Sequence, residues 1–439
     1  MQPSAPALEW AFPFIGMLAS IALFPIAAPR FWHRRMGSVA FGWSAVLLVQ
    51  ESVIIGIKAA AMSAWHAVLI EYLPFITLLL VLYTAGGGVL LRGGPGGTPL
   101  GNTAMLALGM VMGLVMGTTA ATMVLIHPLL HANAHRQRKV HLVLFLIVLV
   151  ANASGALTPL GNPPLYIGLL HGVPLLWPAR HLVLPLLVVT GALLVVFFLV
   201  DRKLAAGEPP PPKPSPFSVR GWSNVGLIAL VVVTVLVQGA VQPGDVVLLT
   251  ARIGIERLVG VGLFVLVTLV SIRMTPRAIR RANDFNWHPM AEVAMLFAAI
   301  FITIGPVIDM LHAGMDGPLA PLLRLTLDAA GQPRPIAYFW LTGLLSAFLD
   351  NAPTYLVFFE LARVQPTALA GSSSVVLTAI SAGAVFFGGL TYVGNAPNMM
   401  LRAIASHRGV RMPGFFGFML LSSALLLPVF VLVSMLFFI

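Results

Sequence analysis

No cysteine occurs among the 439 residues, which excludes disulfides, thiolate metal centres and thiol catalysis. Charge is nearly as scarce: Asp, Glu, Lys and Arg make up 9% of the chain, and only 14 residues are acidic. There is no H-E-x-x-H, no G-x-S-x-G and no G-x-x-x-x-G-K-[ST], so zinc peptidase, serine hydrolase and ATP-driven chemistry lack their usual groups. No enzyme activity and no cofactor are expected. What remains is apolar: 59% of the residues are hydrophobic, far above a soluble domain, and many windows offer the roughly 20 apolar residues that a helix needs to cross a bilayer. The net charge of +11 falls in short clusters between these windows, without interleaved aromatics, which argues for membrane topology and against a nucleic-acid partner.

The clusters are “RFWHRR” (30–35), “HRQRK” (135–139), “DRK” (201–203), “RMTPRAIRR” (273–281) and “HRGVR” (407–411). Short basic loops stay cytoplasmic, and holding all five inside gives ten crossings: 11–29, 38–57, 68–91, 140–170, 181–200, 222–241, 252–272, 290–312, 371–404 and 414–438, with both termini outside. Two apolar stretches, 101–130 and 335–364, must return to the side they left and read as re-entrant hairpins, the first entering from the cytoplasm and the second from outside. The expected fold is an all-α polytopic membrane protein with two inverted-topology repeats, two re-entrant hairpins and two broken helices. Its parts are N-terminal helices (1–66), a first repeat (67–203), a Pro-rich cytoplasmic linker (204–221) in extended polyproline conformation, connecting helices (222–285) and a second repeat (286–439).

The repeat rests on matched words. “TTAATMVL” (118–125) aligns with “DNAPTYLV” (350–357), and “LTPLGNPP” (157–164) with “LTYVGNAP” (390–397), the two offsets differing by one residue. More weakly, Glu71 aligns with Glu292. The charge-derived threading runs the two halves through the membrane in opposite senses, which is the architecture of secondary transporters with sites near the bilayer midplane. Pro163, Pro164 and Pro397 lack amide hydrogens and Gly161 and Gly394 tolerate unusual dihedrals, so each helix should open there. Freed backbone groups are costly in hydrocarbon unless they meet a ligand or line a cavity. Thr158, Asn162, Thr391, Asn395 and Asn398 add side-chain oxygens that suit a hard cation, while half-helix N-termini suit an anion, and the residues permit either.

With “LDNAPT” (349–354), “LTPLGNPP” and “LTYVGNAPN”, the sequence resembles the ion transporter superfamily, in the branch of NhaD-type sodium/proton antiporters, ArsB arsenite-pump proteins and citrate transporters. The resemblance implies a homodimer in a bacterial inner membrane, with a scaffold and a moving transport part working by an elevator motion. It places the hairpin tips, Thr118, Thr119 and Thr122 in one and Asp350, Asn351 and Thr354 in the other, against the broken helices, Gly161 and Gly394 included. Dicarboxylate carriers of the superfamily have Ser-Asn-Thr at these tips, a pattern this chain lacks.

Asp350 is the leading proton-coupling candidate, because a carboxylate at a hairpin tip is expensive in a membrane and such groups mark ion pathways. It can equally cap the following helix. Glu360 reads as solvated or paired, Glu51 as a helix-to-helix hydrogen bond, and Glu71 and Glu292 as surface caps or pairs. His127, His131 and His135 recur every four residues and would share a helix face, a geometry that can hold a metal beside a wet surface. Trp10, Trp32, Trp65, Trp177 and Trp287 fall near span ends as an aromatic belt. The leading expectation is a secondary transporter exchanging Na+ for H+, with a citrate, dicarboxylate or oxyanion carrier as the alternative. Its partners would be the bilayer and a small ion or carboxylate.

Overall fold

In the computed structural model, residues 7–211, 213–241, 243–249, 251–364, 369 and 371–439 are described; Pro212 of the linker lies outside them. The chain begins with α1 (Phe12–Ala27), α2 (Pro29–Ile54), α3 (Ile57–His66) and α4 (Leu73–Gly86). The first hairpin follows as α5 (Pro99–Met116) and α6 (Thr118–Ala132), and the first broken helix as α7 (Val140–Phe145) and α8 (Pro163–Leu170). Then come α9 (Trp177–Ala205), α10 (Trp222–Ala240), α11 (Ile255–Met274), α12 (Arg277–Ala282), α13 (His288–Thr303), α14 (Gly305–His312) and α15 (Ala320–Leu325). The second hairpin is α16 (Pro335–Ser346) and α17 (Asn351–Leu361), the second broken helix α18 (Ser372–Phe386) and α19 (Ala396–His407), and α20 (Phe415–Phe437) ends the chain.

Among the described residues ten helices are long and apolar enough to cross a membrane, or eleven when α13 and α14 count as one bent span. The protein is an all-α polytopic membrane protein. The burial pattern separates its layers. The spans at 140–157 and 373–390 are 89% buried inside the protein, against 22–50% for the other eight, so the two broken helices form the centre and the rest surround them. The outer helices carry exposed Phe41, Val53, Leu184 and Leu420, side chains that are stable at a surface only when that surface meets lipid.

Local chemistry sets the boundaries. Proline occupies the first or second position of α2, α5, α8, α13, α16 and α19, where its missing amide leaves no hydrogen bond unmade. Thr98 caps α5, its Oγ1 accepting from Gly101 N at 3.1 Å. Gly117 (φ 80°) makes the turn between α5 and α6 in a region that side chains with a Cβ avoid.

Three expectations need correction. The stretch left between spans 38–57 and 68–91 is helical: the chain turns at Ile55–Gly56, and α3 then runs into α4 through a π-helical segment, Ala67–Tyr72, as one continuous helix. Span 290–312 is found as α13 and α14, bent by 43° at Gly305–Pro306, where proline cannot donate to the preceding turn. The linker is not wholly polyproline. Ser215–Arg220 forms β2, which pairs antiparallel with β1 (Leu90–Gly94), Leu90 opposite Arg220. A second small ribbon, β3 (Asp245–Leu248) with β4 (Ala251–Gly254), precedes α11. Finally, α6 ends at Ala132, so His135 leaves the face that His127 and His131 share. His127 instead accepts from Arg408 Nη2 (3.3 Å) and lies 3.7 Å from Asp284.

Candidate transport site

The two broken helices are built by one set of hydrogen bonds used twice. In the first, Thr158 Oγ1 donates to Leu114 O (2.5 Å) and accepts from Gly161 N (2.9 Å). In the second, Thr391 Oγ1 donates to Ala347 O (2.5 Å) and accepts from Gly394 N (3.1 Å). Each threonine thus ties its break to the first arm of its own hairpin, and each break ends with an asparagine, Asn162 or Asn395, in extended backbone just before a half-helix. The prolines do not sit in the break; they start the half-helix that follows it. At the tips, Thr122 Oγ1 donates to Thr118 O (2.8 Å) and Thr354 Oγ1 to Asp350 O (3.2 Å). Thr118 N donates to Gly161 O (3.2 Å), closing the first tip onto the first break.

Between tips and breaks lies a cavity with about 70 Å³ open to water centres, lined by Thr118, Thr119, Gly161, Asp350 and Asn395. By volume this holds a few waters or a partly hydrated ion. Its remaining wall comes mainly from α4 and α13, including Leu79, Tyr83, Pro289, Met290, Val293 and Phe297. Among the described residues no Lys, Arg or His lines it, and Asp350 is the one lining residue with a charged side chain.

Asp350 also caps α17, accepting from Ala352 N at 3.3 Å, and the amides of Asn351 and Ala396 address the same carboxylate. It therefore lies between the N-termini of α17 and α19, whose dipoles favour a negative charge. At the matching position of the first half stands Thr118, without charge.

The other predicted residues divide by surroundings. Asn351, with its amide turned to donate, reaches Gly394 O at 2.8 Å and joins Ser346, so it holds the second tip to the second break. Asn398 Nδ2 donates to Gly388 O (2.8 Å) and Thr391 O (2.9 Å). Both are buried in protein and do not line the cavity. Asn162 does not line it either, yet it is buried with neither Oδ1 nor Nδ2 hydrogen-bonded among the described residues.

One residue outside the predicted set joins the two breaks. Asn152, at the end of a π-helical segment Leu146–Asn152, donates to Asn398 Oδ1 (3.0 Å) and accepts from Asn395 Nδ2 (3.1 Å). Asn395 Nδ2 also donates to Ala151 O (2.9 Å), leaving its own oxygen without a donor among the described residues. The signal was a lone amide within “LIVLVAN”, with Val385 at the corresponding place in the other half.

The remaining acids stand away from the cavity. Glu51 accepts from Ser63 Oγ (3.3 Å), the helix-to-helix bond expected of it. Glu360 pairs with His312 at 2.7 Å, and Glu71 lies 3.8 Å from His171. Trp32 and Trp177 are buried, unlike the lipid-facing residues of a belt.

No curated protein matches the chain. A family described as “Putative citrate transport” matches residues 4–438. With that match covering nearly the whole length, the chain belongs to this family of membrane transporters.

Proposed function

We propose that the protein is a secondary active transporter that exchanges Na+ for H+ at Asp350. The observation that carries this is that, among the described residues, Asp350 is the one carboxylate lining the cavity and no basic side chain joins it. A carboxylate half-buried in a cavity wall with no basic partner is costly, and three amides offset it only in part, so a proton or a cation completes the site. Asn395 Oδ1 and the Thr118 and Thr119 hydroxyls supply further hard oxygens. One site that takes either ion but not both couples their opposite movements.

Pro289 and Met290 start α13 a few residues after the basic segment 273–281, and Tyr83, near the end of α4, donates to Asn286 O at 2.7 Å, so the cavity faces the side we assign to the cytoplasm. The matched bonds of the two breaks support inverted repeats, in which hairpins and broken helices move as one body against a scaffold in an elevator cycle. We place the protein in a bacterial inner membrane as a homodimer with both termini outside.

A citrate or other carboxylate carrier is the second reading. The family description favours it, as does the first hairpin tip, whose helix N-terminus at Thr118 has no resident carboxylate. Liposomes enclosing a pH-sensitive dye separate the two. Dissipation of an imposed proton gradient by NaCl, absent with choline chloride and with Asp350→Asn, supports the antiporter. Uptake of labelled citrate without a sodium-dependent proton flux overturns it.

A further inference from the structure

A second polar constellation lies outside the cavity, where α2 meets the start of α13. Glu292 Oε1 is 3.4 Å from His33 Nδ1 and 3.4 Å from His288 Nδ1. One ligand atom from each of the three lies within 4.8 Å of the other two. The separations are too long for good hydrogen bonds, and Glu292 makes none to a described side chain. The two Glu292–histidine separations do match another geometry. Nitrogen and oxygen ligands about 2.0–2.2 Å from a tetrahedral ion stand about 3.4 Å from one another.

The helices bring the three together. His288 and Glu292 are one turn apart on the same face of α13. Opposite them, Gly37, one turn after His33, brings α2 close against α13; a Cβ there would stand 2.7 Å from Met295 Sδ. The imidazole rings meet edge to face with centroids 5.8 Å apart, and both are exposed, so an ion has access and a water can fill a fourth position.

We propose that His33, His288 and Glu292 form a binding site for a divalent transition-metal ion of the zinc type, held by three protein ligands. Imidazole and carboxylate suit such ions, and with no cysteine in the chain this His–His–Glu set is, among the described residues, the group whose ligand atoms come together. The site is separate from the transported ion. His288 directly precedes Pro289 and Met290 in the cavity wall, so a bound ion ties α2 to that wall.

The test uses purified full-length protein carrying a tag without histidines, stripped with a chelator and titrated calorimetrically with ZnCl2. One saturable site per chain is expected, weakened at least tenfold in His33→Ala, His288→Ala and Glu292→Gln and unchanged in His131→Ala. CoCl2 should give the visible d–d bands of a tetrahedral ion in the wild type and in His131→Ala, and lose them in Glu292→Gln. Thermal midpoints measured without metal check that the variants are folded. Equal affinity in the three ligand variants, or no saturable binding to the wild type at millimolar zinc, overturns the proposal.

Discussion

Asp201 offers a sharp test of how charge is held inside this molecule. It is fully buried near the end of α9, paired with Arg136, 2.8 Å from His141 Nε2 and accepting from Asn102 Nδ2 at 2.9 Å. Arg136 is itself buried and donates to Gly97 O at 2.6 Å, while Asn102 and Asn133 exchange bonds of 3.0 and 2.7 Å. The cluster thus pins the base of the first hairpin to α9. Asp201→Ala strips Arg136 of its counter-charge without returning it to water, which costs about 3–5 kcal/mol. The lost bonds to Asn102 and His141 fall within that figure, because the three contacts are not independent. Adding Arg136→Met removes the stranded charge, so the double variant should regain about 2 kcal/mol over Asp201→Ala alone. The polar remainder of Asn102, Asn133 and His141 prevents full recovery. The assay is thermal unfolding in detergent for the wild type, both single variants and the double. A double variant as unstable as the sum of the two single losses would refute the reasoning, because the charges would then be acting separately.

Three further outcomes follow from other contacts. Thr158→Val and Thr391→Val each remove the hydroxyl that ties a break to its hairpin, with an expected loss of about 1–3 kcal/mol for the buried groups left unpaired, read as a lowered unfolding midpoint together with slower transport in liposomes. Gly117→Ala puts a Cβ on a residue at φ 80°, ψ 148°, 3.3 Å from Leu160 O, and should lower stability by about 1–3 kcal/mol; an unchanged midpoint would show that the turn relaxes freely. Glu208 accepts from the amides of Gln137 (2.8 Å) and Arg138 (2.9 Å), which hold its carboxyl below the usual range. A lowered folded-state value means the contact is present above the ordinary carboxyl range and lost as pH falls through the lowered value. Glu208→Ala should therefore speed hydrogen exchange of those two amides at neutral pH, and the difference from the wild type should close in acid.

Much of the architecture was legible because the bilayer enforces it. Long apolar windows, basic loops and the paired words around Gly161 and Gly394 each reflect the cost of exposed backbone or charge in hydrocarbon, and the helices end close to where those costs change sign. The less legible parts depend on partners distant in sequence. Asn152 looked like one amide in an apolar run until the fold brought Asn395 and Asn398 to it. Asp201 read as part of a basic loop, and its burial appears only once Arg136 and Asn102 converge on it. The “IGP” at 304–306 did carry a signal for the bend in α13–α14, a glycine–proline pair inside a span. The π-helical segments at 67–72 and 146–152 carried none, since a change of hydrogen-bond register leaves no mark in composition.

The ribbon of β1 and β2 changes what the middle of the chain is for. Strand Ser215–Arg220 clips the stretch that precedes α10 onto Leu90–Gly94, beside the first hairpin. The exposed Pro209, Pro210, Pro211 and Pro214 before it are therefore not the sole tie between the halves. Covalent continuity at residues 209–211 becomes dispensable: a chain cut there keeps its halves stapled by main-chain hydrogen bonds, and two separately expressed fragments should reassemble into one transporter.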